Sequence, residues 1–192
     1  MENRWSQMLP LVAPRLVLRR FSSADLKAFL AYRNDHEVAR WQGWSCISPG
    51  EAEEFVSKQR VQEIAQPGQW LQITIALRQT GQSIGDCALK IHTDDTRQAT
   101  IGITLSRTFQ GQGLATEALS TLLDFVFLQG KLHRVQADTD PDNIPAWKLL
   151  ERLRMRREAH CRQSLWFKGR WADEFVYAII RHEWLTHRGA SQ

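Results

Sequence analysis

A glycine-rich stretch in the middle of the chain has the composition of an anion-binding turn. Residues 109–118 have the sequence Phe-Gln-Gly-Gln-Gly-Leu-Ala-Thr-Glu-Ala, and an apolar run at residues 101–105 precedes them. The residues that follow have the apolar spacing of an amphipathic helix. Amides at a helix N-terminus attract phosphate, and glycine allows phosphate to approach closely. The stretch predicts a site for a phosphorylated ligand, although a tight turn that only enters a helix would have the same pattern.

Two common nucleotide-binding motifs do not fit this turn. A nucleoside-triphosphate loop needs Gly-Lys-Ser or Gly-Lys-Thr at the helix start, whereas Leu114 and Ala115 follow Gly113. The dinucleotide fingerprint needs a third glycine at the position where Thr116 stands. The phosphate is therefore expected to belong to another kind of ligand.

The elements that must position this turn are predicted by periodicity and by turn residues. Strands are expected at residues 15–20, 70–77, 83–92, 99–105, 134–138, 156–167 and 171–180, and helices at residues 24–34, 49–65, 113–129 and 146–153. Ser48, Pro49 and Glu51 form the capping box that starts the second helix. The order predicts an α/β (α+β) fold with a mixed central sheet of about seven strands and helices on both faces. A strand–helix–strand unit in its second half favours a parallel crossover.

Length and charge restrict the class of protein. The 192 residues suit a single domain over residues 1–192, with an extended leader at 1–14 and a tail at 185–192. The net charge of +4 is compatible with a polyanionic ligand. It is too small and too dispersed to predict a nucleic-acid partner.

The cysteines and the N-terminus bear on the compartment. Cys46, Cys87 and Cys161 are widely spaced and odd in number, which favours a reducing environment. We expect no signal peptide and no membrane span, and therefore a cytoplasmic protein. Neither the cysteines nor the histidines have metal-ligand spacing, so no metal is expected.

The spacing Gln110-x-x-Gly113-x-Ala115 resembles the pyrophosphate-binding signature of the GNAT superfamily of N-acetyltransferases. Four further segments, at residues 15–19, 32–38, 143–153 and 168–177, resemble its ribosomal-protein-alanine N-acetyltransferase (RimJ/RimL-like) branch in the same order. The resemblance extends from about residue 14 to residue 184. It implies the GNAT fold, in which two splayed parallel strands, here residues 100–106 and 134–138, hold acetyl-coenzyme A while a primary amine attacks the thioester.

The resemblance also implies which residues hold the coenzyme. Amides from about Gln112 to Thr116 would bind its pyrophosphate, and the first splayed strand would bond its pantetheine arm. Asn143 would contact the pantetheine, and the alternative role of its side chain is to cap its own helix. The implied cofactor-binding residues are Leu105, Gln110, Gly111, Gln112, Gly113, Leu114, Ala115, Thr116 and Asn143.

The groups that move protons in relatives are missing at three positions. Thr100 stands where relatives often have Glu, and Ala146 and Leu150 stand where they have Ser or Tyr. Asp138 remains as a catalytic candidate that would hold the amine and accept its proton, or would only satisfy turn amides. Ser106 is a second catalytic candidate, with a role in the turn as its alternative.

Aromatic residues are candidates for the acceptor side. Trp41, Trp44 and Trp166 fall in predicted loops or strand ends, where they would line a substrate pocket, pack in the core or form a dimer contact. The acceptor implied by the resemblance is a protein N-terminus or a small amine, including an aminoglycoside-like compound. Loss of the usual base favours an amine of low pKa. The alternative function is a non-catalytic acyl-coenzyme A sensor, and the oligomeric state is expected to be monomer or homodimer.

A basic cluster follows the last predicted helix. It comprises Arg152, Arg154, Arg156 and Arg157. Such a cluster suits a solvated helix end, where cations meet the negative end of the helix dipole. Its alternative role is to attract the coenzyme phosphates or an acidic partner.

Overall fold

The computed structural model describes Trp5 and residues 9–189. Its strands are β1 (Leu11–Val12), β2 (Leu16–Arg19), β3 (Trp70–Leu77), β4 (Ser83–Ile91), β5 (Gln98–Leu105), β6 (Arg134–Thr139), β7 (Arg156–Phe167) and β8 (Arg170–Ile180). Its helices are α1 (Leu26–Arg33), α2 (His36–Ala39), α3 (Pro49–Val61), α4 (Leu114–Leu128), α5 (Ile144–Arg152) and α6 (Arg181–Gly189). Short 3-10 turns at Ser23–Asp25 and Arg107–Phe109 precede α1 and follow β5.

Eight strands form one mixed sheet in the order β1-β2-β3-β4-β5-β6-β8-β7. All neighbours are antiparallel except β5 and β6, which confirms the predicted mixed sheet and its parallel crossover. The strand beyond the predicted seven is β1, which pairs Leu11 with Leu18 inside the segment expected to be a leader. The rest of that leader, apart from Trp5, lies outside the described residues before residue 9, as does the end of the expected tail after residue 189.

Helices cover both faces of the sheet, as predicted. Adjacent residues of a strand point to opposite faces, and on β4 Asp86 bonds to α1 while Cys87 joins the apolar core that includes α4. The α4 helix is the longest of those described, with 15 residues, and buries its apolar side against the sheet. Within the described part of the chain, no helix is both long and apolar enough to cross a bilayer.

The last helix replaces part of the expected tail. Residues 181–189 form α6, which is held by Trp184. That side chain is buried, lies 6.4 Å from the ring of Phe127, and donates its indole N–H to Asp124 at 3.0 Å. Periodicity did not predict α6 because a distant anchor rather than local sequence holds it.

The predicted splay lies between β5 and β6. These strands pair at Gln98 with Arg134, Ala99 with Val135 and Thr100 with Gln136, and at no later position of either described strand. Beyond that point β5 continues to pair with β4, and β6 continues to pair with β8. The sheet therefore opens between residues 101–105 of β5 and residues 137–139 of β6.

Candidate functional site

A cleft of about 1010 Å³ lies beside this opening. Its walls are the end of β5, the glycine turn, the first turn of α4, one side of α5, and α2 with the residues after it. Since α2 follows α1 on one face of the sheet and α4 packs on the other, the cleft connects the two faces. Of the predicted coenzyme-binding residues, the structure places Leu105, Gln110, Gly111, Gly113, Leu114, Ala115, Thr116 and Asn143 along it. Gln112 is not among the lining residues.

The glycine turn has the backbone geometry of an anion site. Gly111 and Gly113 both have φ of +75°, a left-handed conformation in which a side chain is strained. Helix α4 begins directly after Gly113. Within the described part of the chain, the backbone N–H groups of residues 111–116 donate to no protein acceptor. Six consecutive donors at a helix N-terminus fit the pyrophosphate of a coenzyme.

Arg15 holds this turn from the start of β2. Its Nε donates to Glu117 Oε2 at 2.6 Å and its Nη1 donates to the carbonyl of Gln112 at 3.0 Å. The backbone N–H of Arg15 donates to the other carboxylate oxygen of Glu117 at 2.7 Å. The first turn of α4 and the glycine turn are therefore both fixed to the edge of the sheet.

Two glutamine side chains brace the same turn from within. Gln110 donates its side-chain amide to the carbonyl of Leu105 at 3.0 Å, and Gln112 donates to the carbonyl of Thr108 at 2.9 Å. These side chains are occupied by the turn itself. Any contribution of Gln112 to ligand binding comes from its backbone.

Asn143 precedes α5 without capping it through its side chain. The helix start uses the Asn143 carbonyl instead, which accepts from Ala146 N–H at 3.0 Å and Trp147 N–H at 3.3 Å. Among the described residues, the Asn143 side-chain amide has no protein partner, and it lines the cleft. This arrangement favours the ligand-binding role over the capping role.

Asp138 lies on β6 beyond the last pairing with β5 and does not line the cleft. Its carboxylate accepts from Gln136 Nε2 at 3.0 Å. The side chain is accessible at its surface, yet desolvation by the surrounding protein raises its pKa above the ordinary aspartate value. The negative charge of Glu174 adds to this shift, while the hydrogen bond from Gln136 and the charge of Lys90 oppose it.

The sheet register places Asp138 on the face of the sheet that carries Asp86 and packs against α1, which we call the acceptor face. Asp138 pairs with Val176 of β8, so Glu174 lies two residues away on the same face. Gln136 also shares this face, and it is paired with Thr100, whose hydroxyl lies 2.9 Å from Nε2 of His92. The face therefore presents two carboxylates beside the strand opening.

Ser106 has contacts of a turn residue. Its amide donates to the carbonyl of Ile84 at 2.8 Å, its carbonyl accepts from Phe109 N–H at 2.9 Å, and its hydroxyl lies 3.2 Å from that of Thr108. It is not among the residues lining the cleft. These contacts favour the alternative role in the turn.

The structure separates the three candidate tryptophans. Trp41 lines the cleft. Trp44 stacks on the guanidinium of Arg33 at 3.6 Å and donates its indole N–H to the Arg33 carbonyl at 3.3 Å. Trp166 is 60% exposed on the β7–β8 hairpin, where its ring lies 5.4 Å from that of Trp171. Only Trp41 of these three contributes to the cleft.

A buried network holds the wall that carries Trp41. Tyr32 donates its hydroxyl to Asp86 at 2.6 Å, and Arg33 forms an ion pair with the same carboxylate at 3.2 Å. All three side chains are buried, so each charge needs its partner. The network fixes the end of α1, and Trp44 covers it from outside.

The structure adds cleft residues that sequence reasoning missed. Glu37 lines the cleft from α2, whose N-cap Asp35 accepts the Glu37 N–H at 3.0 Å. Asp35 also forms an ion pair with Arg107 at 3.3 Å, which joins α2 to the turn after β5. An aspartate two residues before a glutamate is a helix-start signal that would have located α2. Lys148 and Arg152 line the opposite wall from α5.

Comparisons with known proteins agree with this geometry. Residues 15–156 match the acetyltransferase (GNAT) domain family. The uncharacterized N-acetyltransferase p20 of Bacillus licheniformis is 28% identical over 178 residues, which cover 92% of this chain and 99% of that protein. The [ribosomal protein uS5]-alanine N-acetyltransferase of Escherichia coli is 28% identical over 88 residues, 46% of this chain and 45% of that enzyme. The structure of Mycobacterium smegmatis RimJ in complex with CoA-disulfide is similar at a TM-score of 0.74, with 25% identity and coverage of 94% of this chain and 93% of that one.

Proposed function

Since this chain belongs to the GNAT acetyltransferase family and is an N-acetyltransferase that uses acetyl-coenzyme A, we propose that it acetylates a primary amine of low pKa, such as a protein α-amine. The observation that carries this proposal is the strand opening between β5 and β6, with free amides on one side and Asp138 on the other. An α-amine and the donor thioester can meet there.

The donor half of the proposal rests on the glycine turn and on Asn143. The amides of residues 111–116 bind the pyrophosphate, and Asn143 bonds the pantetheine arm. The end of β5, on the side where it no longer pairs with β6, orients the thioester. The turn amides and the Asn143 side chain are free of competing protein contacts within the described part of the chain. Binding of this kind contributes to catalysis by holding the reacting atoms in position.

The acceptor half rests on Asp138. An incoming ammonium is attracted by the two carboxylates of the acceptor face, and Asp138 accepts its proton. The neutral amine nitrogen then forms a bond to the acetyl carbon, the carbon–sulfur bond breaks, and the thiolate leaves with its electron pair. The acylated nitrogen releases its remaining extra proton to water, which gives the neutral amide, and the thiolate takes up a proton from water. A raised pKa makes Asp138 a stronger base than an ordinary aspartate.

The missing proton-transfer groups favour an amine that is easily deprotonated. Leu150 is buried in the core, Ala146 has no polar side-chain atom, and Thr100 bonds to His92. An α-amine has a pKa of about 7.7–8.0, so roughly a tenth or more of it is neutral at pH 7. A lysine or alkyl amine with a pKa of about 10.4 is neutral in well under ~0.1% of molecules. The E. coli relative is named for N-acetylation of a ribosomal-protein alanine, whose α-amine is an acceptor of the first kind.

The proposal extends to the setting of the reaction. We propose a cytoplasmic enzyme, which its three free cysteines support. Its partners would be acetyl-coenzyme A and a protein N-terminus, without a nucleic acid or a membrane. Monomer or homodimer remains the prediction for its assembly.

Release of free thiol from acetyl-coenzyme A tests the acceptor class. The panel contains peptides with a free α-amine, the same peptides blocked at the α-amine but carrying lysine, spermidine, and an aminoglycoside. We expect the highest kcat/KM with the free α-amine peptides. Turnover confined to spermidine or the aminoglycoside would contradict the acceptor proposal, and coenzyme binding without any turnover would indicate the sensor function.

A further inference from the structure

Two exposed cations lie on the α5 wall of the cleft. Lys148 and Arg152 are four residues apart, so they occupy the same side of the helix one turn from each other. Asn143 lies at the start of the same helix, and α5 contacts α4, which carries the glycine turn. The two cations therefore border the space next to the proposed pyrophosphate site.

The other basic residues near the turn already have carboxylate partners. Arg107 forms an ion pair with Asp35 at 3.3 Å, and Arg15 forms one with Glu117 at 2.6 Å. Among the described residues, neither Lys148 nor Arg152 has a carboxylate within ion-pair distance or a hydrogen bond from its head group. The Lys148 ammonium lies 5.6 Å from the ring of Trp147, a contact that leaves it accessible. The α5 cations are thus free to bind an anion.

The structure also divides the basic cluster predicted after this helix. Arg156 forms an ion pair with Glu183 at 3.3 Å, and the guanidinium of Arg157 lies 4.4 Å from the ring of Phe175. Arg154 is exposed in the turn after α5 and does not line the cleft. Of the four arginines, Arg152 alone is placed along the cleft.

A favourable helix dipole does not explain both cations. Arg152 ends α5, where a positive charge is stabilised by the dipole. Lys148 lies in the middle of the helix, and two like charges four residues apart repel each other. An anion bound between them removes that repulsion.

We infer that Lys148 and Arg152 bind the adenosine 3′-phosphate of the coenzyme and so distinguish coenzyme A from its 3′-dephospho form. The inference rests on the proposed function, which places the coenzyme in this cleft. Coenzyme A carries a pyrophosphate and a separate phosphomonoester. The backbone amides of the glycine turn suit the first, whereas a phosphomonoester with a charge of about −1.5 to −2 is best matched by paired cations.

Equilibrium binding of two ligands tests the inference without relying on turnover. Titration calorimetry with coenzyme A and with 3′-dephospho-coenzyme A gives a Kd ratio for the unchanged protein and for Lys148→Gln, Arg152→Gln and Arg154→Gln. We expect the unchanged protein to prefer coenzyme A by about tenfold or more. Lys148→Gln and Arg152→Gln should each lower that ratio by about threefold or more, by weakening coenzyme A alone. Arg154→Gln, which removes the same charge outside the cleft, should leave the ratio unchanged.

Three outcomes would overturn the inference. Equal affinity of the unchanged protein for the two ligands would show that the 3′-phosphate is not bound. An equal decrease of the Kd ratio in Arg154→Gln and Arg152→Gln would show that the preference arises from long-range attraction by net charge. A ratio that neither cleft variant changes would assign the 3′-phosphate to other residues. Failure of the unchanged protein to bind either ligand would instead contradict the proposed function itself.

Discussion

Arg15 and Glu117 form an ion pair of 2.6 Å across 102 positions of sequence. The pair connects the start of β2 to the first turn of α4, and the same guanidinium bonds the carbonyl of Gln112. It therefore fixes the turn whose amides face the cleft. Arg15 is half-exposed, so the pair is expected to contribute less than about 1 kcal/mol to the free energy of unfolding.

Arg15→Gln is expected to weaken donor binding more than it weakens the fold. Without the guanidinium, the glycine turn loses its tie to β2, and we expect the Kd for coenzyme A to rise about tenfold. Calorimetry measures the Kd, and thermal unfolding measures stability. Arg97→Gln is the matched control, because Arg97 also bonds a neighbouring carboxylate, Asp95, but lies away from the turn. Equal effects of the two variants on Kd would contradict a bracing role for Arg15.

The conformation of Gly113 predicts a contrast with another glycine. At Gly113, φ is +75° and an added Cβ would have only an ordinary contact, at 3.5 Å from Arg15. Gly113→Ala is therefore expected to cost about 1 kcal/mol through backbone strain and to weaken coenzyme binding. Gly50 lies in the first turn of α3 with open space around it, so Gly50→Ala should be neutral or stabilising by up to about 1 kcal/mol. Chemical denaturation measures both, and a loss of stability at Gly50 as large as at Gly113 would exclude this explanation.

Asp138→Asn should change the pH profile of the reaction. The carboxylate is the active form, so kcat/KM is lost as pH falls through the Asp138 pKa, which lies above its ordinary value of 3.8. Asparagine can still accept the bond from Gln136 but cannot take a proton. We expect a loss of about 10²-fold in kcat/KM and disappearance of that acidic limb, measured with an α-amine peptide from pH 4 to pH 9. An unaltered profile would exclude Asp138 as the base.

The same substitution has a stability control. Because the pKa of Asp138 is raised in the folded state, the fold binds this proton more tightly than the unfolded chain does. Ionisation of Asp138 therefore opposes folding, and stability falls as pH rises through that pKa. Asp138→Asn is expected to leave thermal stability at pH 7 unchanged or slightly higher. A destabilised variant would mean that the lost activity reflects misfolding.

Trp41 and Trp166 predict opposite results for acceptor binding. Trp41 lines the cleft, and Trp41→Ala should raise the KM for the acceptor by about fivefold or more. Trp166 is outside the cleft and packs on Trp171, so Trp166→Ala should leave that KM unchanged. It should cost about 0.5–1.5 kcal/mol of stability through loss of the aromatic pair. A higher KM for the acceptor in Trp166→Ala would indicate that the β7–β8 hairpin takes part in acceptor binding.

The sequence was most informative where local chemistry decides structure. The capping box of Ser48 and Glu51 is formed as expected, with the Ser48 N–H donating to the Glu51 carboxylate at 2.8 Å. The strand, glycine turn and helix were also located correctly. Positive φ values and a helix start have short sequence signatures, so these features needed no knowledge of distant contacts.

Features that depend on distant partners were not predictable in this way. Strand β1 exists because Leu11 meets Leu18 across a turn, and α6 exists because Trp184 finds a buried site beside Phe127. The role of Trp44 depends on Arg33, whose buried charge is paired with Asp86 on β4. The two cations of α5 appear in sequence as part of a surface helix, and only the folding of α5 beside α4 places them along the cleft.

The opening between β5 and β6 has a mechanical consequence. Three residue pairs join β1–β5 to β6, β8 and β7 across this seam in the described structure. Apart from the two-pair ladder of the edge strand β1, this is the shortest ladder of the sheet, so under a pulling force it has few bonds to resist shear. A pantetheine arm bonded to the unpaired end of β5 would bridge the seam like a partial extra strand. Binding of acetyl-coenzyme A would then stiffen the whole sheet, and release of coenzyme A after the reaction would make the sheet flexible again.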